Sequence, residues 1–123
     1  MGKAARRKGH QFERDMANLL RDTHPGIKTS RLAAPELDPL GQDLANTGAF
    51  VYQCKAVEAL NVHKVLAEMP AQEGKINAVA SKKNRQGTLI AVSLADWLKI
   101  LEFLPESLRK GGIMVKWEND SGS

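Results

Sequence analysis

A single cysteine, Cys54, is all that the chain carries. No internal disulfide can form, and a reducing, cytoplasmic setting is expected. Aromatics are scarce, at 5% of the residues, and they fall mostly at core-like positions. That argues against an aromatic stacking platform for single-stranded bases. The three histidines, His10, His24 and His63, are scattered, and no Cys or His stands at zinc-ligand spacing. A structural zinc site is therefore not expected. Long apolar runs are missing, so no membrane span is expected, and the basic start lacks the apolar stretch of a secretion signal. No internal repeat is present.

What is there fits one folded domain over residues 1–123, with a basic N-terminal arm (1–8) and a flexible tail (118–123). The net charge of +4 is unevenly placed. Lys3, Arg6, Arg7 and Lys8 open the chain, Lys82, Lys83 and Arg85 cluster late, and Arg109 and Lys110 form a third group. Such clusters suit phosphate contacts that weaken with salt, and Arg6, Arg7, Lys8, Lys82, Lys83 and Arg85 are the candidate DNA contacts. The plainer alternative is a solvated basic surface.

The first helix is expected from Lys8 to about Asp22, with Phe12, Met16, Leu19 and Leu20 as its buried stripe and Glu13 at the stripe's edge. A short strand over Ile27–Leu32 and a loop with Pro35, Pro39 and Gly41 follow. Next comes a hairpin with strands near Asp43–Asn46 and Phe50–Val57, the second apolar on its Phe50, Tyr52, Cys54 side. Asn61 caps a helix with Val62, Val65, Leu66 and Met69 at regular spacing, ended by Pro70. Strands over Ile76–Ala80 and Thr88–Val92 flank the basic loop Ser81–Gly87. A helix opened by Ser93 and Asp96 carries Leu94, Trp97, Leu98, Leu101 and Leu104 and stops at Pro105; Ile113–Trp117 is the last strand. The fold class is α/β, a mixed central sheet flanked by helices.

If Thr47-Gly48-Ala49 turns the hairpin, Asp43 lies opposite Gln53, and alternation puts Gln53 and Lys55 on one face. A carboxylate, an amide oxygen and an ammonium then converge. Phosphodiester cleavage needs an activated water and stabilised phosphoryl charge, and a divalent cation supplies both. Magnesium, with manganese as a substitute, takes oxygen ligands and keeps several waters. Asp43 is the primary ligand; Gln53, the Cys54 backbone carbonyl and Glu13 are the further ones. Lys55 would orient the water or stabilise developing charge. Taken singly, Asp43 reads as a turn residue, Glu13 as a solvated helix charge and Lys55 as an edge-strand lysine. Cys54, opposite the Gln53/Lys55 face, reads as a core thiol.

The segments Gly9-His-Gln-Phe-Glu13-Arg-Asp-Met-Ala-Asn-Leu-Leu, Gly41-Gln-Asp43-Leu and Val51-Tyr-Gln53-Cys-Lys55-Ala resemble the PD-(D/E)XK nuclease superfamily. Within it the chain is most similar to archaeal-type and phage Holliday junction resolvases. The resemblance covers about the first two-thirds of the chain and rests on order and spacing of short motifs. It implies a restriction-endonuclease-like core, a magnesium-dependent endonuclease acting on branched DNA in recombination and repair, and a homodimer. It also implies that Glu13, Asp43, Gln53 and Lys55 form the site and that Ser30 and Arg31 contact the DNA backbone. Gln53 stands where the family usually has glutamate, and a neutral amide weakens the hold on a cation. Two alternatives follow: a carboxylate such as Glu36, Asp38 or Glu58 joins the ligands, or the chain is a degenerate DNA-binding module of the same fold.

Overall fold

The structure, a computed structural model, describes residues 2–110, so the expected strand Ile113–Trp117 and tail 118–123 lie outside the described residues. Its contacts group into two compact units, Met1–Ser93 and Leu94–Ser123. Helix α1 spans Lys3–Leu19, starting well before the expected Lys8. Residues 3–8 are Lys, Ala and Arg, all good helix formers with no breaker among them, so the basic arm is the helix's first turns. The buried arc runs from Phe12 through Met16 to Ala17, with Leu20 partly buried. Leu19 falls just past the Phe12 edge of that arc and is 72% exposed, which corrects its place in the stripe.

The strand expected over Ile27–Leu32 is cut to β1, Lys28–Thr29, followed by one helical turn, α2, Ser30–Ala33. Ser-Arg-Leu-Ala-Ala contains no β-branched residue to hold an extended backbone, and the chain coils as soon as its short pairing ends. The Pro35–Leu40 segment forms a 3-10 helix that Gly41 closes at φ 68°, in the left-handed region. Strand β2 is only Leu44–Ala45 and pairs antiparallel with β1, Thr29 opposite Leu44.

Strand β3, Phe50–Lys55, belongs to a second sheet of order β3-β4-β5, with β4 Ile76–Lys82 and β5 Thr88–Ala91. It runs parallel to β4, and helix α3, Val62–Glu68, is the crossover. The Asn61 side chain accepts a hydrogen bond from Lys64 N at 3.1 Å, and the helix ends just before Pro70, both as expected. β5 returns antiparallel to β4 through residues 83–87, a basic loop as expected.

The sheet is mixed and has a helix on each side. On one side Phe12, Met16 and Ala17 of α1 pack with Ile27, Leu44, Tyr52, Cys54, Ala78 and Ala80. On the other, Val51, Val79 and Met69 pack with Leu60, Val65 and Leu66. Val51, on the face that also holds Gln53 and Lys55, is wholly buried against the α3 side. A strand inside a parallel pair is covered on both sides.

In the second unit, α4 spans Leu94–Phe103 and α5 spans Glu106–Arg109, with Pro105 as the N-cap of α5. Leu94, Trp97 and Leu98, on the expected apolar face of this helix, are exposed. Among the described residues no helix is long and apolar enough to cross a membrane.

Candidate active site

Asp43 is held by three hydrogen bonds to two neighbouring segments, β3 and the start of α2. Its N–H donates to Tyr52 O at 2.8 Å, its own C=O accepts from Ser30 N at 2.8 Å, and its Oδ2 accepts from Cys54 N at 2.7 Å. Asp43 therefore lies against the Tyr52–Cys54 stretch of β3, the part of the strand that holds Gln53. The two strands share no ladder, however, and Asp43 joins the edges of two separate sheets. Residues two apart on a strand turn their backbone groups to the same edge. The Cys54 carbonyl therefore faces Asp43, on the side away from β4.

Glu13 comes in from α1 with its side chain only 14% exposed. Burial, followed by repulsion from Asp43, raises its carboxyl pKa to about 7, against the pull of Arg31. Asp38 adds repulsion and Arg14 opposes it. Asp43 is raised as well, by burial, while the Cys54 N–H and Lys55 hold it down. Two carboxylates that destabilise each other this way favour a cation between or beside them. Asp38, weighed in the sequence only as a substitute ligand, raises both.

Arg31 Nε stands 3.8 Å from Glu13 Oε1, close enough for an ion pair and too far for a hydrogen bond. Both atoms are buried without a hydrogen-bond partner, as is Ser30 Oγ. Arg31 thus neighbours Glu13, a contact between a helix and a distant loop that no local pattern in the sequence could signal. Ser30, 1% exposed, is not a surface residue.

A Cβ added at Gly41 would lie 3.2 Å from Gln53 Oε1 and 3.4 Å from Met69 Cγ, so the amide oxygen sits under the Gly41 turn. Glu58 is drawn elsewhere: its Oε2 accepts from Asn84 N at 2.6 Å and lies 3.8 Å from Lys8 Nζ. Lys8 Nζ also donates to Asn84 Oδ1 at 3.1 Å, which brings the start of α1 to the basic 83–87 loop. The Cys54 thiol is pushed well above its ordinary range by burial and then by Asp43 and Glu13, so it is no nucleophile.

Among the described residues no three His, Cys, Asp or Glu side chains form a metal-holding group. A divalent cation still fits the chemistry, since magnesium needs one or two carboxylates and completes its shell with carbonyl and water oxygens. Glu13, Asp43 and the Cys54 carbonyl would hold it, with Gln53 the donor that must turn from Gly41 to reach.

Glu13 also makes a measurable statement about stability. Its folded pKa of about 7 lies above the model-compound value of 4.5, so the folded state holds the proton more tightly than the unfolded one. Stability therefore falls as pH rises from about 4.5 to 7 and is flat above for this group. Glu13→Gln, in EDTA, is expected to gain about 1 kcal/mol at pH 8 after screening is allowed for, and little at pH 4.5. Thermal melts at the two pH values test this; a less stable variant at pH 8 would refute it.

No known protein family, curated protein or solved structure matches this chain.

Proposed function

We propose that the chain is a divalent-metal-dependent DNA endonuclease, a structure-selective Holliday junction resolvase with a restriction-endonuclease-like core, working in the cytoplasm as a homodimer. The observation that supports this reading is the pair Glu13 and Asp43, brought from α1 and the β2 edge into mutual repulsion beside Lys55. Magnesium, when bound there, would acidify a water and offset phosphoryl charge. Asp43 and Glu13 supply the negative charge that retains it. Lys55 offers its ammonium to the charge developing on the phosphate, and Arg31 stands where a phosphate oxygen could draw it off Glu13. Lys8, Lys82, Lys83 and Arg85 serve the backbone beyond. Exposed Leu89 and Ile90 on edge strand β5 offer an apolar surface for the second copy.

The test is cutting of a synthetic four-way junction and of the matching linear duplex, with magnesium, manganese or EDTA. Metal-dependent, junction-selective cutting is the expected result; its absence overturns the reading.

The seat of Gln53 under Gly41 favours one alternative, a DNA-binding module that has lost catalysis. Gln53→Glu separates the two. A carboxylate there is expected to raise metal-dependent cutting about tenfold, or to confer it on a silent protein. A variant that instead loses an existing activity would show that the amide is a working ligand.

A further inference from the structure

A cleft of 460 Å³ opens between α1 and the β1–α2 segment. Arg14, Arg21 and Lys28 edge it, and Ala17, Ile27 and Leu32 give it apolar walls. These three cations lie outside every basic cluster visible in the sequence and come together only in the fold. None has an ion pair among the described residues. Arg14 donates to Gln11 Oε1 and Arg21 to Asn18 Oδ1, both neutral amides, so three positive charges edge the cleft and no carboxylate is among its lining residues.

The cleft adjoins the elements that carry the site. Ala17 lies one helical turn beyond Glu13 on α1, and Leu32 follows Arg31 on α2. A chain of phosphates leaving Glu13 and Asp43 along α1 would meet Arg14 first, then Lys28 and Arg21. The volume suits one nucleotide-sized group. Leu32, 73% exposed, offers a wall to a sugar or base. No aromatic lines the cleft, so affinity would come from phosphate contacts more than from stacking.

Resting on the nuclease reading above, we infer that this cleft holds one unpaired DNA strand as it leaves the site, and that the chain therefore selects substrates with an unpaired or diverging strand. Arg21 and Lys28 are exposed and lie outside the candidate catalytic set, so Arg21→Gln/Lys28→Gln should fold normally. Fluorescence anisotropy with labelled oligothymidylate, in EDTA, reads binding without any cutting. The double variant should bind about tenfold more weakly at moderate salt. Its slope of log affinity against log salt should be shallower by about 1.4, the share of two phosphate contacts on a single strand. The paired control Lys82→Gln/Lys83→Gln should leave a residual affinity that still depends on Arg21 and Lys28. Unchanged affinity and slope in the cleft variant, or no binding of the oligonucleotide by the unaltered protein, overturns the inference. The two readings fail separately. Strand binding through the cleft without junction cutting sinks the nuclease and leaves the cleft, whereas normal cutting with no cleft effect does the reverse.

Discussion

Asp43→Ala should slow metal-dependent cutting of a four-way junction by about a thousandfold or more, because it removes the carboxylate that the Cys54 N–H anchors at the candidate site. The loss has two sources that must be told apart. One is chemical: the charge that would hold the cation beside the Cys54 carbonyl disappears. The other is structural, since the Cys54 N–H now bonded to Oδ2 at 2.7 Å would be left unpaired in a part-buried position. An orphaned donor of that kind costs about 1–3 kcal/mol. Asp43→Asn resolves the ambiguity, because its amide oxygen still accepts from Cys54 while its charge is gone. It should melt near the unaltered protein and cut no better than the alanine variant. Lys55→Ala should lose about a hundredfold with little change in melting, as its side chain offers charge and makes no hydrogen bond among the described residues. Cutting at the original rate by the Asp43 and Lys55 variants together would sink the assignment of the site.

The largest expected effect on stability is at Leu44. It is wholly buried although its strand is two residues long, and it packs with Phe12, Met16, Ile27 and Tyr52. Leu44→Ala should cost about 2–5 kcal/mol, the transfer term plus the cavity left between α1 and the two sheets. A domain of this size holds about 5–15 kcal/mol in all, so a large part of the protein would unfold near physiological temperature. Leu19→Ala is the matched control: 72% exposed, it should shift stability by no more than about 0.5 kcal/mol. Urea titrations of both variants decide the matter, and equal costs would mean that α1 packs differently from the arrangement described here.

The contrast between those two leucines shows what the sequence made legible. Elements whose signals are local are legible: α3 with its Asn61 cap and Pro70 stop, the strands around 76–82 and 88–91, and the approach of Asp43 to the Tyr52–Cys54 stretch of β3. Burial was harder, because spacing gives an arc its width and leaves its centre undetermined. The arc on α1 is centred toward Glu13 and Ala17, which expels Leu19 and draws the carboxylate inward. The burial of Val51 is hidden from the sequence for a related reason. Alternation along β3 carries no mark of the parallel neighbour and crossover helix that cover its second face. In the candidate site, Asp43, Lys55 and Glu13 came from the motif order, whereas the Glu13–Arg31 contact and the turn of Gln53 toward Gly41 depend on how distant segments meet. Arg14, Arg21 and Lys28 belong to the same class: scattered in the chain and adjacent in the fold.

The two acidic side chains of the site carry different evolutionary weight. Asp43 fastens two sheets through the Cys54 N–H, so a lineage that abandoned catalysis would still be selected to keep an oxygen acceptor there. Glu13 fastens nothing by a hydrogen bond: Oε1 is buried and unsatisfied, and the ionised carboxylate lies beside another. Mutation from Glu to Gln at that position would relieve the fold, and drift in an idle protein would find it readily. On the nuclease reading, Glu13 is therefore the position whose variation would best separate active lineages from silent ones.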